Sequence, residues 1–112
     1  MTVALDHIHH VAVQVKDLEE AILWYTKNFA CQIAFQDNSW ALLKFDNLSL
    51  ALVHPDQHPP HFAITRQDIK LYGAPVPHRD GTSSVYIEDP SGNNIEMLKL
   101  GDELSYGQEP AS

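Results

Sequence analysis

An internal repeat constrains the fold of this chain more than any other feature of its sequence. The segment HVAVQVKDL at residues 10–18 can be placed over HFAITRQDI at residues 61–69, so that histidine meets histidine and aspartate meets aspartate. In both copies an alanine follows the histidine by two positions, with an apolar residue on either side of it. The two segments are separated by close to half the chain. The repeat therefore predicts two structural units of similar build that share one core.

The first copy has the pattern of a strand, a helix and three further strands. Alternation predicts a strand at 8–15, with the valines on one face and His10 on the other. A helix is predicted after Asp17, a favourable N-cap that Glu20 follows by three residues, as in a capping box. Three strands joined by turns short enough for an antiparallel meander are then predicted at 32–36, 40–45 and 48–53.

The same order recurs after a proline-rich linker at residues 54–60. A strand is predicted at 61–65 and a short helix at 68–72, with Gly73 at its end. Further strands are predicted at 76–79, 82–88 and 94–100, followed by a loose polar tail at 101–112. We therefore expect a single domain over residues 1–112, with module one at about 5–54 and module two at about 61–100.

Two βαβββ modules predict an α+β fold in which a curved mixed sheet surrounds a cavity. Each module would turn one strand face away from its helix, and the two free faces together would enclose the space between them. The side chains predicted to point into it come from the first, fifth and eighth strands: His10, Ala12, Gln14, His61, Ala63, Thr65, Asn94, Glu96 and Leu98.

The charge balance and the cysteine count exclude several classes of protein. The chain has 15 acidic and 7 basic residues, a formal net charge of −8, which disfavours nucleic acid and anionic membranes as partners. Cys31 is the only cysteine, which rules out an internal disulfide and indicates a reducing compartment. No apolar run approaches the ~18 residues of a membrane span, and no signal-peptide pattern is present. We expect a cytoplasmic protein.

Three motifs resemble the vicinal oxygen chelate superfamily, which includes glyoxalase I, bleomycin-resistance proteins, methylmalonyl-CoA epimerase and extradiol dioxygenases. The stretch HVAVQVKDL at 10–18, followed by WY at 24–25, resembles the opening of the first module. HFAI at 61–64 resembles the start of the second module, and DPSGNNIE at 89–96 resembles its closing strand. The resemblance covers roughly residues 7 to 100, with the motifs in the expected order.

The resemblance implies that the cavity contains a divalent metal, held by His10, His61 and Glu96. Glyoxalases and epimerases of this superfamily usually carry a fourth ligand on the fourth strand, where the repeat places Ala51. Because alanine cannot ligate, the remaining set is the two histidines and one carboxylate of the extradiol members. This set favours Fe(II), with Zn, Mn or Ni as alternatives. From the residues alone, Glu96 is either exposed or buried beside a cation, and we favour the cation.

A metal with open positions can chelate two neighbouring oxygens of one substrate. The sequence therefore predicts a metal-dependent enzyme acting on a small oxygenated substrate, with an extradiol-type dioxygenase favoured. Three alternatives stay open: a glyoxalase- or epimerase-like lyase or isomerase, a metal-free protein that binds small molecules such as drugs, and a degenerate regulatory or structural module. Because two-module chains of this type commonly pair, a homodimer is also expected.

Other residues are candidates for contact with a substrate. Tyr86 is the candidate catalytic residue, because its hydroxyl can orient a substrate or move a proton, although it is equally suited to a cavity wall. Trp40, Ala51 and Ala12 are predicted to contact the substrate. His78 is a weaker candidate for a base at the cavity rim.

The histidines at 7 and 9 are predicted to face solvent. Strict alternation along the first strand places both of them on the face opposite His10.

Overall fold

The computed structural model describes residues 4–78 and 81–101, which form eight strands, one α-helix and one short 3-10 helix. The strands are β1 (His7–Gln14), β2 (Gln32–Gln36), β3 (Trp40–Lys44), β4 (Ser49–Val53), β5 (His61–Thr65), β6 (Val76–Pro77), β7 (Ser83–Glu88) and β8 (Asn94–Lys99). Helix α1 spans Leu18–Asn28, and the 3-10 helix spans Ile69–Tyr72. Neither helix of these ranges has the length and apolar character needed to cross a membrane.

The strands form one curved mixed sheet in the order β2-β3-β4-β1-β5-β8-β7-β6. The β1–β4 and β5–β8 pairs are parallel, and every other neighbouring pair is antiparallel. The first four strands of the chain therefore occupy one half of the sheet, and the β1–β5 pair joins the two halves. The predicted α+β class and curved mixed sheet are confirmed.

The strand register shows that the two copies of the internal repeat pair with their neighbouring strands in the same way. In the first half, His10 pairs with Ser49 on β4, and Ala51 lies two residues further along that strand. In the second half, His61 pairs with Asn94 on β8, and Glu96 lies two residues further along. Ala51 and Glu96 thus occupy equivalent positions, and only the second half has a carboxylate there.

Helix α1 packs on one face of the first half of the sheet. It begins after Asp17, whose side chain accepts a hydrogen bond from the Glu20 N–H at 3.0 Å, as expected of an N-cap. Leu18 and Ile22, one turn apart, are buried against the side chains of Ala41, Leu43 and Leu52. Burying an aliphatic side chain of this size contributes about 1.5–3 kcal/mol, so this core fixes the helix to the sheet. The opposite face is left for the cavity.

The second half departs from the first at its helix. The segment predicted as a helix at 68–72 forms only the four-residue 3-10 helix, and Asp68 gives it no side-chain cap. The carboxylate of Asp68 instead accepts two hydrogen bonds from the Arg66 guanidinium, at 2.9 and 2.6 Å. Gly73 ends the segment, as predicted, with a positive φ of 151°. The two aspartates that match in sequence therefore have different roles in the fold.

Most predicted strand boundaries coincide with the observed ones, and all the others except the end of the sixth strand differ by a single residue, which is within the usual variation of strand assignment. The sixth strand is shorter than predicted and ends at Pro77. Its predicted last residue, Arg79, and the predicted tail from residue 102 onwards lie outside the described residues.

Candidate metal centre

Three buried side chains from β1, β5 and β8 converge on one point near the middle of the sheet. The Nε2 atoms of His10 and His61 each lie 3.3 Å from Oε1 of Glu96. One ligand atom from each residue lies within 4.8 Å of the other two. The three residues are 5%, 8% and 7% exposed, respectively. The structure therefore brings together the three residues that the sequence predicted as metal ligands.

An alanine between the ligands makes this convergence possible. His10 pairs with Ala63 on β5, and Ala63 pairs with Glu96 on β8, so the three residues form one row across the sheet. Ala63 is fully buried. Because its methyl group is short, the imidazole and the carboxylate on either side can lean towards each other above it.

We expect Ala63→Leu to separate His10 from Glu96 and to weaken Zn(II) binding strongly. The larger side chain should also lower the free energy of unfolding by about 1–3 kcal/mol, the usual cost of overpacking. Ala41→Leu is the matched control, since Ala41 is equally buried but lies in the core beneath α1. Chelator competition and denaturant unfolding measure the two effects. Loss of stability without loss of Zn(II) affinity in Ala63→Leu would contradict this account.

Both histidines have a polar partner at Nδ1, on the side of the ring away from Glu96. His61 Nδ1–H donates to the Pro59 carbonyl oxygen at 2.8 Å, and His10 Nδ1 lies 2.8 Å from His9 Nδ1. A hydrogen bond at one ring nitrogen fixes the tautomer and directs the other nitrogen at a metal. The linker and the start of β1 thus orient the two imidazoles.

The position of His9 differs from the prediction. A β-bulge lies between Ile8 and His10 in the β1–β5 ladder, and His9 is the inserted residue. A bulge breaks the strict alternation of side chains along a strand. His9 is therefore partly buried against His10 instead of facing solvent, whereas His7 is exposed as predicted.

The charge of Glu96 makes this group of residues suitable for a cation. Burial alone would raise the pKa of Glu96, but hydrogen bonds and charges from His10 and His61 outweigh it and hold the pKa well below its ordinary value. The carboxylate is thus ionised in a buried position, which is costly without a cationic partner. Two imidazole nitrogens and one carboxylate oxygen facing one point are a donor set that fits a divalent metal.

The triad lies in the wall of a cavity of about 630 Å³. This volume is typical of sites that take small organic molecules. One side of the cavity is apolar and comes mainly from the first half of the chain: Phe35, Trp40, Ala51, Val53 and Leu98. The rings of Phe35 and Trp40 pack with centroids 4.8 Å apart and planes at 33°. Besides the triad, the polar lining residues are Asp37 from the first half, His58 from the linker, and His78, Thr82 and Tyr86 from the second half.

Two solved structures share this architecture. A hypothetical protein from Bacillus halodurans C-125 has a TM-score of 0.72 and 14% identity, and the match covers 91% of this chain and 99% of that protein. A glyoxalase/bleomycin resistance protein/dioxygenase superfamily member from Vibrio splendidus 12B01 has a TM-score of 0.66 and 10% identity, with coverages of 85% and 99%. The chain has the vicinal oxygen chelate fold. No protein-family model and no curated protein matches the sequence.

Three of the four residues predicted as candidates for contact with a substrate lie on the cavity surface. Trp40, Ala51 and Tyr86 all line the cavity. Ala12 is only 2% exposed and packs with Ala51 in the apolar layer beneath it. Ala12 also pairs with His61 across β1 and β5, so its small side chain leaves space beside that imidazole.

Tyr86 lies beside the triad. It pairs with Glu96 across β7 and β8, and its hydroxyl lies 3.3 Å from Nε2 of His61. Tyr86 is 40% exposed, but the partial burial of its side chain, together with the negative charge of Glu96, raises the pKa of Tyr86 above its ordinary value. The phenol therefore keeps its proton at neutral pH and can donate a hydrogen bond to an oxygen in the cavity.

In the metal-free protein we expect Tyr86 to ionise at a higher pH than an unperturbed tyrosine. Tyr86→Phe should remove the last component from an ultraviolet titration of the phenolate and leave the earlier part of the curve unchanged. A variant curve that instead loses amplitude near the ordinary value of 10 would contradict the environment described for Tyr86.

Several residues near the triad carried little or no sequence signal. His78 Nε2 lies 2.8 Å from Ser84 Oγ and 3.9 Å from Oε2 of Glu96, which places His78 in the cavity. His58 belongs to the linker, where no periodic pattern predicts which way a side chain points. Burial next to His61 lowers the pKa of His58. Thr82 precedes β7 and is 3% exposed. Ser84 shares the alternation of Tyr86, and that signal could have identified it.

Proposed function

We propose that this chain is a metal-dependent enzyme that binds a small oxygenated substrate through two neighbouring oxygens. The observation that carries the proposal is the approach of two imidazole nitrogens to one buried carboxylate oxygen, at 3.3 Å each, in the wall of a cavity. All three donors come from one sheet. The cavity lies beside them, where a substrate would find room.

Among the residues that the structure describes, the group that could hold a metal has three members, which supports a site with open coordination positions. Ala51 lines the cavity at the position equivalent to Glu96, and its methyl group cannot coordinate. A site with three protein ligands leaves coordination positions for a substrate or another exogenous group. Such open positions favour catalysis over a structural role.

Within this class we favour an extradiol-type dioxygenase that uses Fe(II). His10, His61 and Glu96 would hold an Fe(II) ion, which would offer open coordination positions to a substrate and dioxygen. The apolar side formed by Phe35 and Trp40 suits a flat aromatic ring, such as that of a catechol. Tyr86 would hold a proton at its phenol oxygen and donate a hydrogen bond to a substrate oxygen.

Oxygen consumption tests this proposal. Protein purified without a histidine tag is loaded anaerobically with Fe(II), mixed with catechol, and followed with an oxygen electrode. We expect uptake that matches the loss of catechol in the wild type and falls to the level of free Fe(II) in Glu96→Ala. Glu88→Ala, which removes an exposed carboxylate from β7, is the control and should behave as the wild type.

The other outcomes separate the alternatives. Turnover of a substrate with Zn(II) or Ni(II) and no oxygen uptake would replace the dioxygenase with a lyase or isomerase. Ligand binding that is unchanged in His61→Ala, in a protein that takes up no metal, would replace the enzyme with a small-molecule binding protein.

We also propose a homodimer located in the cytoplasm. Strands β2 and β6 end the sheet, so each has one edge that another chain could extend. The lone Cys31 is compatible with a reducing compartment. Light scattering coupled to size exclusion tests the dimer, and a monomer across the micromolar range would contradict it.

A further inference from the structure

The ring of His9 lies against the ring of His10 in a geometry that allows a hydrogen bond between them. Their centroids are 5.1 Å apart and their planes meet at 80°. The two Nδ1 atoms are 2.8 Å apart, which is hydrogen-bonding distance when one of them carries a proton. The bulge at His9 makes this contact possible, since neighbouring side chains on a regular strand point to opposite faces.

The metal-bound state determines which nitrogen would donate. Nε2 of His10 faces Glu96, so it is the nitrogen that would coordinate and must carry no proton. The neutral ring then has its proton on Nδ1, and that N–H needs an acceptor because His10 is 5% exposed. His9 Nδ1 is at the right distance to accept it.

We propose that His9 is a positioning residue for the metal ligand His10, accepting a hydrogen bond from His10 Nδ1–H when Nε2 is coordinated. This inference rests on the proposed metal-binding function. It assigns the β1 bulge a role, which is to turn His9 towards its neighbour.

The two halves of the chain provide different hydrogen-bond acceptors for the Nδ1–H of their histidines. His61 donates its Nδ1–H to the backbone carbonyl of Pro59, an acceptor that no side-chain substitution removes. In the repeat, His9 aligns with Pro60, which has no side-chain acceptor. The partner of His10 is therefore a side chain, and its contribution can be measured by substitution.

Zn(II) affinity in three variants tests the proposal. His9→Leu removes the acceptor while keeping an apolar side chain of moderate size, and His9→Asn restores an acceptor oxygen at a position close to that of Nδ1. His7→Leu is the control, because His7 is exposed on the same strand. Loss of an outer hydrogen-bond partner typically weakens metal binding by about 10–100-fold, and we expect this loss in His9→Leu, recovery in His9→Asn and no change in His7→Leu.

Nitrogen-15 NMR of the Zn(II)-loaded wild type gives a second readout that does not depend on any variant folding. We expect His10 to show a hydrogen-bonded Nδ1 proton protected from exchange, and this signal should disappear in His9→Leu. The proposal is overturned if that proton is absent in the wild type, if His9→Leu binds Zn(II) as the wild type does, or if His9→Asn is as weak as His9→Leu.

The outcomes for the two proposals are distinguishable. Zn(II) binding that Glu96→Ala abolishes and His9→Leu leaves intact overturns the role of His9 alone. A wild type that binds no Zn(II) overturns the metal site and, with it, the role of His9.

Discussion

Replacing Glu96 with alanine is expected to weaken the binding of a divalent metal by more than about 100-fold, beyond the range for loss of an outer-shell partner. Glu96 supplies the only carboxylate in the three-residue cluster, and the Nε2 atoms of both imidazoles approach its Oε1 atom. Without it, two neutral nitrogens remain, and no negative charge offsets that of the ion. Chelator competition with Zn(II) measures the change.

Glu96→Gln separates the charge of Glu96 from its hydrogen bonds. The amide keeps the size and one acceptor oxygen, so the metal-free variant should be destabilised less than Glu96→Ala, which leaves two buried imidazoles without this partner. Such a loss is about 1–3 kcal/mol. Both variants should bind metal poorly, whereas Glu88→Ala should bind as the wild type. Strong Zn(II) binding by Glu96→Gln would show that the charge is not required.

The depressed pKa of Glu96 also fixes the direction of a pH effect in the metal-free protein. A carboxyl group whose folded pKa is lowered contributes stability above its ordinary value of 4.5, and this contribution is lost as the pH falls further towards the folded value. The stability difference between the wild type and Glu96→Gln should therefore shrink in acid.

Ala51→Glu is expected to convert the three-ligand site into a four-ligand site. The new carboxylate would stand at the position equivalent to Glu96 and would face the same cavity. In the metal-free variant, a second carboxylate in a buried setting should lower stability by roughly 2 kcal/mol or more. Zn(II) should restore that stability and bind more tightly than in the wild type, while oxygen uptake with Fe(II) and catechol should fall sharply because an open position is filled.

Ala51→Gln is the matched control for this substitution. It has the same size without the charge, so it should block part of the cavity but leave Zn(II) affinity close to that of the wild type. Equal Zn(II) affinities in the Glu and Gln variants would show that the side chain at position 51 does not face the metal. The register equivalence of positions 51 and 96 would then not extend to their side chains.

The internal repeat accounts for how much of the site could be predicted from the sequence. The match of His10 with His61 put them at equivalent points of two strands, and the sequence of the closing strand identified Glu96 as the third candidate ligand. Alternation alone also placed Tyr86 on the cavity side of β7. The structure places these side chains on the expected face because side-chain direction in a regular strand depends only on sequence position.

Where the backbone departs from a regular strand or helix, the sequence pattern predicts the wrong side-chain direction or makes no prediction of it. The bulge at His9 turns that side chain towards His10, and nothing in the local composition marks it. Asp68 matches the helix cap Asp17 in sequence, but the guanidinium of Arg66 engages its carboxylate instead. The contribution of Ala63 depends on the pairing of three strands, which only the register between distant segments reveals.

The metal content of the untagged wild type, measured by elemental analysis beside Glu96→Ala, tests the central claim most directly. We predict a near-stoichiometric divalent metal in the wild type, with iron favoured, and its loss in the variant. No metal in either protein, even after anaerobic loading with Fe(II), Zn(II), Mn(II) and Ni(II) in turn, would contradict the metal centre and leave the cavity as a binding site for small molecules.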